Sequence, residues 1–149
     1  MREMIERGRA IANGVLRSGC LAWLAHACRR ERRLDEASQA IAEAQAEADA
    51  HGESVFLSEI HRIAAEIALD ESQPHAVAAE RLLRQALDEA REQHALLFEV
   101  RAALALARLW VAQEGVADAR ALVIEVSARM PDDCPDRRDA HAFLADVTP

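Results

Sequence analysis

The chain reads as all-α: an α–α superhelix of about three helical hairpins with flanking N- and C-terminal helices. Three observations predict this. The first is composition. Gly (5) and Pro (4) are scarce in 149 residues, Tyr is absent, and Ala, Leu, Arg and Glu dominate. These are strong helix formers, whereas the β-branched and aromatic residues that suit a pleated sheet are few. The second is an internal period. Ala25, Ala65 and Ala107 are spaced 40 and 42 apart, and Ala37, Ala79 and Ala119 are spaced 42 and 40 apart. Two separate sets of small residues thus share one period, in the range that marks stacked supersecondary units. The third is amphipathic patterning at i, i+3, i+4 and i+7 on both sides of each polar break.

The expected elements follow in chain order, within a single domain over residues 1–149. An N-terminal helix covers about residues 2–13, and Gly14 ends or kinks it. Its apolar residues Met4, Ile5 and Ile11 are placed to cap the stack or to pair with a second copy. The first repeat spans about residues 16–52. Its first helix carries Leu21, Leu24, Ala25 and Cys28 as the core stripe, with Cys20 and Cys28 read as small apolar core residues; its second carries Ala37, Ile41, Ala44 and Ala48. The second repeat spans about 56–95, with Ile60, Ile63, Ala64, Ile67 and Ala68 on one helix and Ala79, Leu82, Leu83, Ala86, Leu87 and Ala90 on the other. Pro74 suits the first turn of that second helix, where a missing N–H costs nothing. The third repeat spans about 98–130, with Ala103, Leu106, Ala107, Trp110 and Val111, then Ala119, Leu122, Val123 and Val126. After the turn bracketed by Pro131 and Pro135, a capping helix over about 135–147 presents Ala140, Phe143, Leu144 and Val147. Phe143 and Leu144 are expected to cap this chain's own stack or to join Met4, Ile5 and Ile11 in a homodimer face.

Within each repeat these markers match the tetratricopeptide pattern, which sets a small residue, an Ala and a second small or apolar residue at fixed positions. They are Ala25, Ala37 and Ala44; Ala65, Ala79 and Ala86; Ala107, Ala119 and Val126. Small side chains there allow two antiparallel helices to approach closely. The pattern's Trp is replaced by Leu21, His61 and Ala103, its turn Gly by Arg32 and Glu114, and the period exceeds the usual ~34 residues. The runs EIHRIAAEIAL, AERLLRQALDEAREQ and EVRAALALARLWVAQEGVADARALV resemble the C-terminal helical repeats of bacterial ATP-dependent regulators of the adenylate-cyclase-like and MalT/LuxR-like kind. The resemblance covers about residues 16–147 and implies a cytoplasmic regulatory or scaffolding region.

It also implies that the first helices of the hairpins line a concave face. His26 and Arg29 fall there with Arg30 beside them, then Glu59, Arg62 and Glu66, then Arg101, Leu104, Arg108 and Val111. Arg suits bidentate capture of carboxylate or phosphate, so one reading is a groove for a protein or peptide partner of acidic character. A second reading is a sensor that binds a small anionic effector in the same superhelix. A third is a solvated face of intrahelical ion pairs such as Arg62 with Glu66, each worth a few tenths of a kcal/mol.

Charge and motif content narrow the alternatives. The net charge of -8 combines 18 basic residues, all Arg, with 26 acidic ones. An acidic domain repels a phosphate backbone, so no nucleic-acid partner is expected. No apolar run approaches the ~18 residues of a membrane span. The start MREMIERGRAIANG is too charged for a signal peptide, and three Cys without paired spacing suit a reducing cytoplasm. None of the six His sits in HExxH, and GxSxG, P-loop and dinucleotide signatures are missing. The acidic turn of Asp132, Asp133, Asp136 and Asp139 reads as helix-start carboxylates rather than a cation loop. The expectation is a binding module with no enzymatic activity, no cofactor and no metal.

Overall fold

The structure, a computed structural model, describes residues 17–71, 73 and 75–147. Among these residues there are seven helices and no strand. They are α1 over residues 17–30, α2 (Leu34–His51), α3 (Leu57–Asp70), α4 (Ala76–Glu92), α5 (Leu96–Ala112), α6 (Val116–Ser127) and α7 (Pro135–Asp146). The expected helix over about 2–13, with Met4, Ile5, Ile11 and Gly14, lies outside the described residues, as does Pro74; α4 itself begins at Ala76.

Consecutive helices pack on one another, α3 also packs on α5, and α7 closes against both α5 and α6. This is the contact pattern of a helical superhelix, in which each unit touches its neighbours. The six marker alanines, Ala25, Ala37, Ala65, Ala79, Ala107 and Ala119, are all fully buried, as close approach of paired helices requires. Two apolar clusters result. One joins Ala22, Ala25 and Cys28 of α1 to α2 and to Ile60, Ile63 and Ile67 of α3. The other begins at Ala65 on α3 and runs through α4, α5 and α6 to Ala140 and Phe143 of α7. Phe143 is buried, and Leu144 packs against the same cluster, so both cover the end of their own chain's stack. The most apolar helix is α5, which buries nine residues because it meets α3, α4, α6 and α7.

Four of the turns share one geometry. Arg32, Gly52, His94 and Glu114 all take left-handed φ, between 54° and 66°. In each case the next residue's N–H reaches back five positions: Arg33 to Cys28, Glu53 to Ala48, Ala95 to Ala90 and Gly115 to Trp110, at 2.8–2.9 Å. This is the Schellman ending of a helix. Gly52 and His94 are 42 positions apart, so the period read in the alanines recurs in the turns.

Two apolar residues expected inside are outside. Leu24 is 52% exposed and Cys20 is exposed as well. Among the described residues α1 packs on one side only, against α2 and α3, so the helical stripe that buries Ala22, Ala25 and Cys28 is narrower than its apolar content. Val111, expected on the concave face, packs instead against the larger cluster.

Candidate functional site: a groove lined by the odd-numbered helices

A cavity of about 1050 Å³ opens on one side of the stack. Its walls come from α1 and the turn after it, α3, α5 and the start of α7; α2, α4 and α6 contribute no side chain to it. Of the ten residues expected on or beside the concave face, nine line it: His26, Arg29, Arg30, Glu59, Arg62, Glu66, Arg101, Leu104 and Arg108; Val111 does not. The reason is local. On α3, positions 59, 62 and 66 fall on one helical face at i, i+3 and i+7, and Arg101 and Arg108 are related in the same way on α5. Sequence reasoning missed Trp23, Arg32, Leu69, Asp70, Ala105, Leu109, Ala112, Asp136 and Asp139. Trp23 precedes His26 by three residues, and Asp70 follows Glu66 by four, so extending each stripe by one turn finds both.

The groove is less basic than its arginines suggest. Six Arg and five carboxylates line it, and most are joined in one alternating ladder. Arg32 lies 3.6 Å from Asp70, and Asp70 lies 2.8 Å from Arg29. Arg29 donates to Glu66 at 2.8 Å, and Glu66 accepts from Arg62 at 2.9 Å. Arg62 donates Nε and Nη2 to the two oxygens of Glu59 at 2.8 and 3.0 Å. Glu59 then faces Arg101 at 3.7 Å, and Arg101 donates to Asp136 at 2.7 Å. Four cations and four anions thus alternate across α1, α3, α5 and α7. Arg29 Nε faces Asp70 without making a directed hydrogen bond, so that link is electrostatic.

Two of the three readings of this face are altered by these contacts. Glu59 is 1% exposed and Arg62 is 8% exposed, so their pair is a desolvated one, not a solvated surface pair. Burial alone lowers the proton affinity of the Arg62 guanidinium, but the Glu59 hydrogen bonds and the Glu66 charge outweigh it and hold the group above its ordinary value. Glu59, expected as a contact residue for a ligand, is committed to Arg62 instead. Arg30 and Arg108 stand outside the ladder. Both are exposed on the groove, and among the described residues neither has an ion-pair partner. His26 is held below the ordinary imidazole value of 6.5, first by burial and then by the facing Arg62, against a smaller opposing pull from Glu66. It is therefore neutral at neutral pH. The charge that the ladder leaves over comes from Arg30, Arg108 and the exposed Asp139.

The other described histidines lie outside the groove. His51 and His94 are exposed at helix ends, and His61 pairs with Glu89 across the α3–α4 hairpin at 2.8 Å. Asp132 and Asp136 of the acidic turn pair with Arg137 and Arg101. No group of three or more potential metal ligands occurs among the described residues, and none of their helices is long and apolar enough to cross a membrane. A second buried carboxylate, Glu99 on α5, accepts from Arg91 and Arg129 beside a smaller hollow of about 270 Å³.

No protein-family model, curated protein or solved structure matches the chain.

Proposed function

We propose that this chain is a tetratricopeptide-like interaction module, regulatory or scaffolding in role, whose concave groove takes an acidic peptide segment of a protein partner. One observation carries the reading. The ladder neutralises four of the groove's arginines internally and leaves Arg30 on α1 and Arg108 on α5 exposed on its walls, without an ion-pair partner among the described residues. An unpaired guanidinium on a concave surface offers bidentate capture of a carboxylate without first breaking an internal pair. The internally paired arginines supply rigidity, which lowers the ordering cost of binding. The three free thiols, the acidic net charge and the helical-repeat resemblance support a cytoplasmic binding role rather than catalysis.

The test is fluorescence anisotropy with labelled acidic, neutral and basic peptides of matched length. Acidic peptides should bind, should weaken as salt rises, and should lose affinity in Arg30→Ala with Arg108→Ala. Equal binding of acidic and basic peptides, or unchanged affinity in the double variant, would sink the proposal. The groove volume of about 1050 Å³ also supports a second reading, a small anionic effector. That reading expects thermal stabilisation by small polycarboxylates with no peptide binding.

A further inference from the structure

The chain has only five aromatic side chains, two Trp and three Phe, and three of them meet at the groove's edge. Trp23 on α1 stands edge-on to Phe56 at the N-cap of α3, with ring centroids 5.8 Å apart and planes at 76°. Phe56 in turn tilts against Phe98 in the first turn of α5, at 6.2 Å. The row crosses the same three first helices as the ion ladder. Phe56 is held from behind, because its ring packs directly on the backbone at Gly19, where a Cβ would come within 2.8 Å of it.

The outer ring differs from the inner two. Trp23 is 54% exposed and lines the groove, whereas Phe56 and Phe98 are half-buried. Trp23, His26 and Arg30 form one stripe on α1 at i, i+3 and i+7, which sets the indole and the unpaired guanidinium on one wall. A rigid indole supported by other rings, half in water and beside an unpaired cation, has the composition of a recognition hot spot.

We infer that Trp23 and Arg30 together recognise an apolar side chain flanked by carboxylates. The partner segment is therefore acidic with an embedded aromatic or large aliphatic residue, not merely anionic. This inference rests on the acidic-peptide reading of the groove and adds to it the apolar anchor. Charge complementarity selects this occupant: Arg30 and Arg108 take the carboxylates, and the apolar residue covers the exposed face of Trp23.

The experiment compares two short labelled peptides of equal negative charge, one with a central Phe and one with Ser in its place. Both are titrated into the full chain, with anisotropy and tryptophan emission as readouts. The Phe peptide should bind about tenfold tighter and shift the Trp23 emission to the blue. Trp23→Ala should erase that preference, so that the Phe peptide binds no tighter than the Ser peptide, and Trp23→Phe should restore much of it. Equal affinity of the two peptides for the native chain would overturn the inference and leave the acidic-peptide reading standing. Failure of both peptides to bind would overturn both. Self-association of the free protein, abolished by Trp23→Ala in sedimentation, would assign the indole face to a second copy and also overturn the inference.

Discussion

Both carboxylate oxygens of Glu59 accept hydrogen bonds from the one guanidinium of Arg62, at 2.8 and 3.0 Å, where the carboxylate is almost wholly buried. Their i, i+3 spacing on α3 brings them together, and the packing of α1 and α5 over α3 removes them from water. A pair of this kind adds little net stability over an apolar pair, but breaking it strands a buried charge.

Arg62→Leu should therefore destabilise the fold by about 3 kcal/mol. The distant Arg101 offsets only part of the loss. The double variant Glu59→Leu with Arg62→Leu should recover most of it, because no charge is left unpaired. Urea unfolding of the single and double variants checks this. Equal stabilities would show that the two side chains are not coupled.

Glu114→Gly should stabilise the chain by about 1 kcal/mol. Glu114 holds φ at 66° in the turn between α5 and α6, and its exposed side chain makes no hydrogen bond or ion pair among the described residues. Glycine removes the Cβ strain of that conformation, less the extra freedom it gives the unfolded chain. Arg32 is a poorer site for the same change because its side chain lies near Asp70. A rise in urea midpoint with unchanged slope is the expected reading.

Gly19→Ala should destabilise by about 1 kcal/mol, although Ala is the better helix former. The new Cβ would meet three atoms of the Phe56 ring within 3.0 Å, and the ring is flanked by Trp23 and Phe98. Adding Phe56→Leu should reverse the sign of the Gly19→Ala effect, measured as a double-mutant cycle by thermal unfolding.

Acid should weaken the α4–α5–α6 region through Glu99. Burial pushes this carboxyl upward, but hydrogen bonds from Arg129 and Arg91 outweigh it and hold the group below 4.5. A depressed folded value means stability that is fully present above 4.5 and is lost as pH falls through the lower folded value. Glu99→Gln should flatten that acid limb while lowering stability at neutral pH. A pH series of urea midpoints, unchanged in shape by the substitution, would contradict this.

The parts of the groove that were legible in the sequence are those fixed by short helical spacings. His26 with Arg29, Glu59 with Arg62 and Glu66, and Arg101 with Arg108 each share a face by i, i+3, i+4 or i+7, and all line the cavity. Glu66 as a partner of Arg62 was legible from the i, i+4 spacing, and the hydrogen bond at 2.9 Å bears it out, but the partners brought by other helices were not legible. Arg29 meets Glu66 across 37 positions and Arg101 meets Asp136 across 35, separations decided by how helices stack. The aromatic row was hidden in the same way, since Trp23, Phe56 and Phe98 belong to three different hairpins. The repeat pattern set Arg32 and Glu114 at turn positions, but the left-handed φ of Arg32, His94 and Glu114 was not legible, because the glycine that usually announces it is absent.

By itself, then, the sequence determined the all-helical class, the forty-residue period, the alanines at the close helix contacts and which helix faces share a side. Those are properties of a chain coiling with 3.6 residues per turn, set by neighbours a few positions away. Only the tertiary structure decided that Glu59 and Arg62 are sealed together, that Arg30 and Arg108 have no ion-pair partner among the described residues, and that Leu24 and Cys20 face outward. Whether a charge is spent or available depends on which opposite charge the packing brings within a few ångströms, and whether an apolar residue is buried depends on which helix covers it.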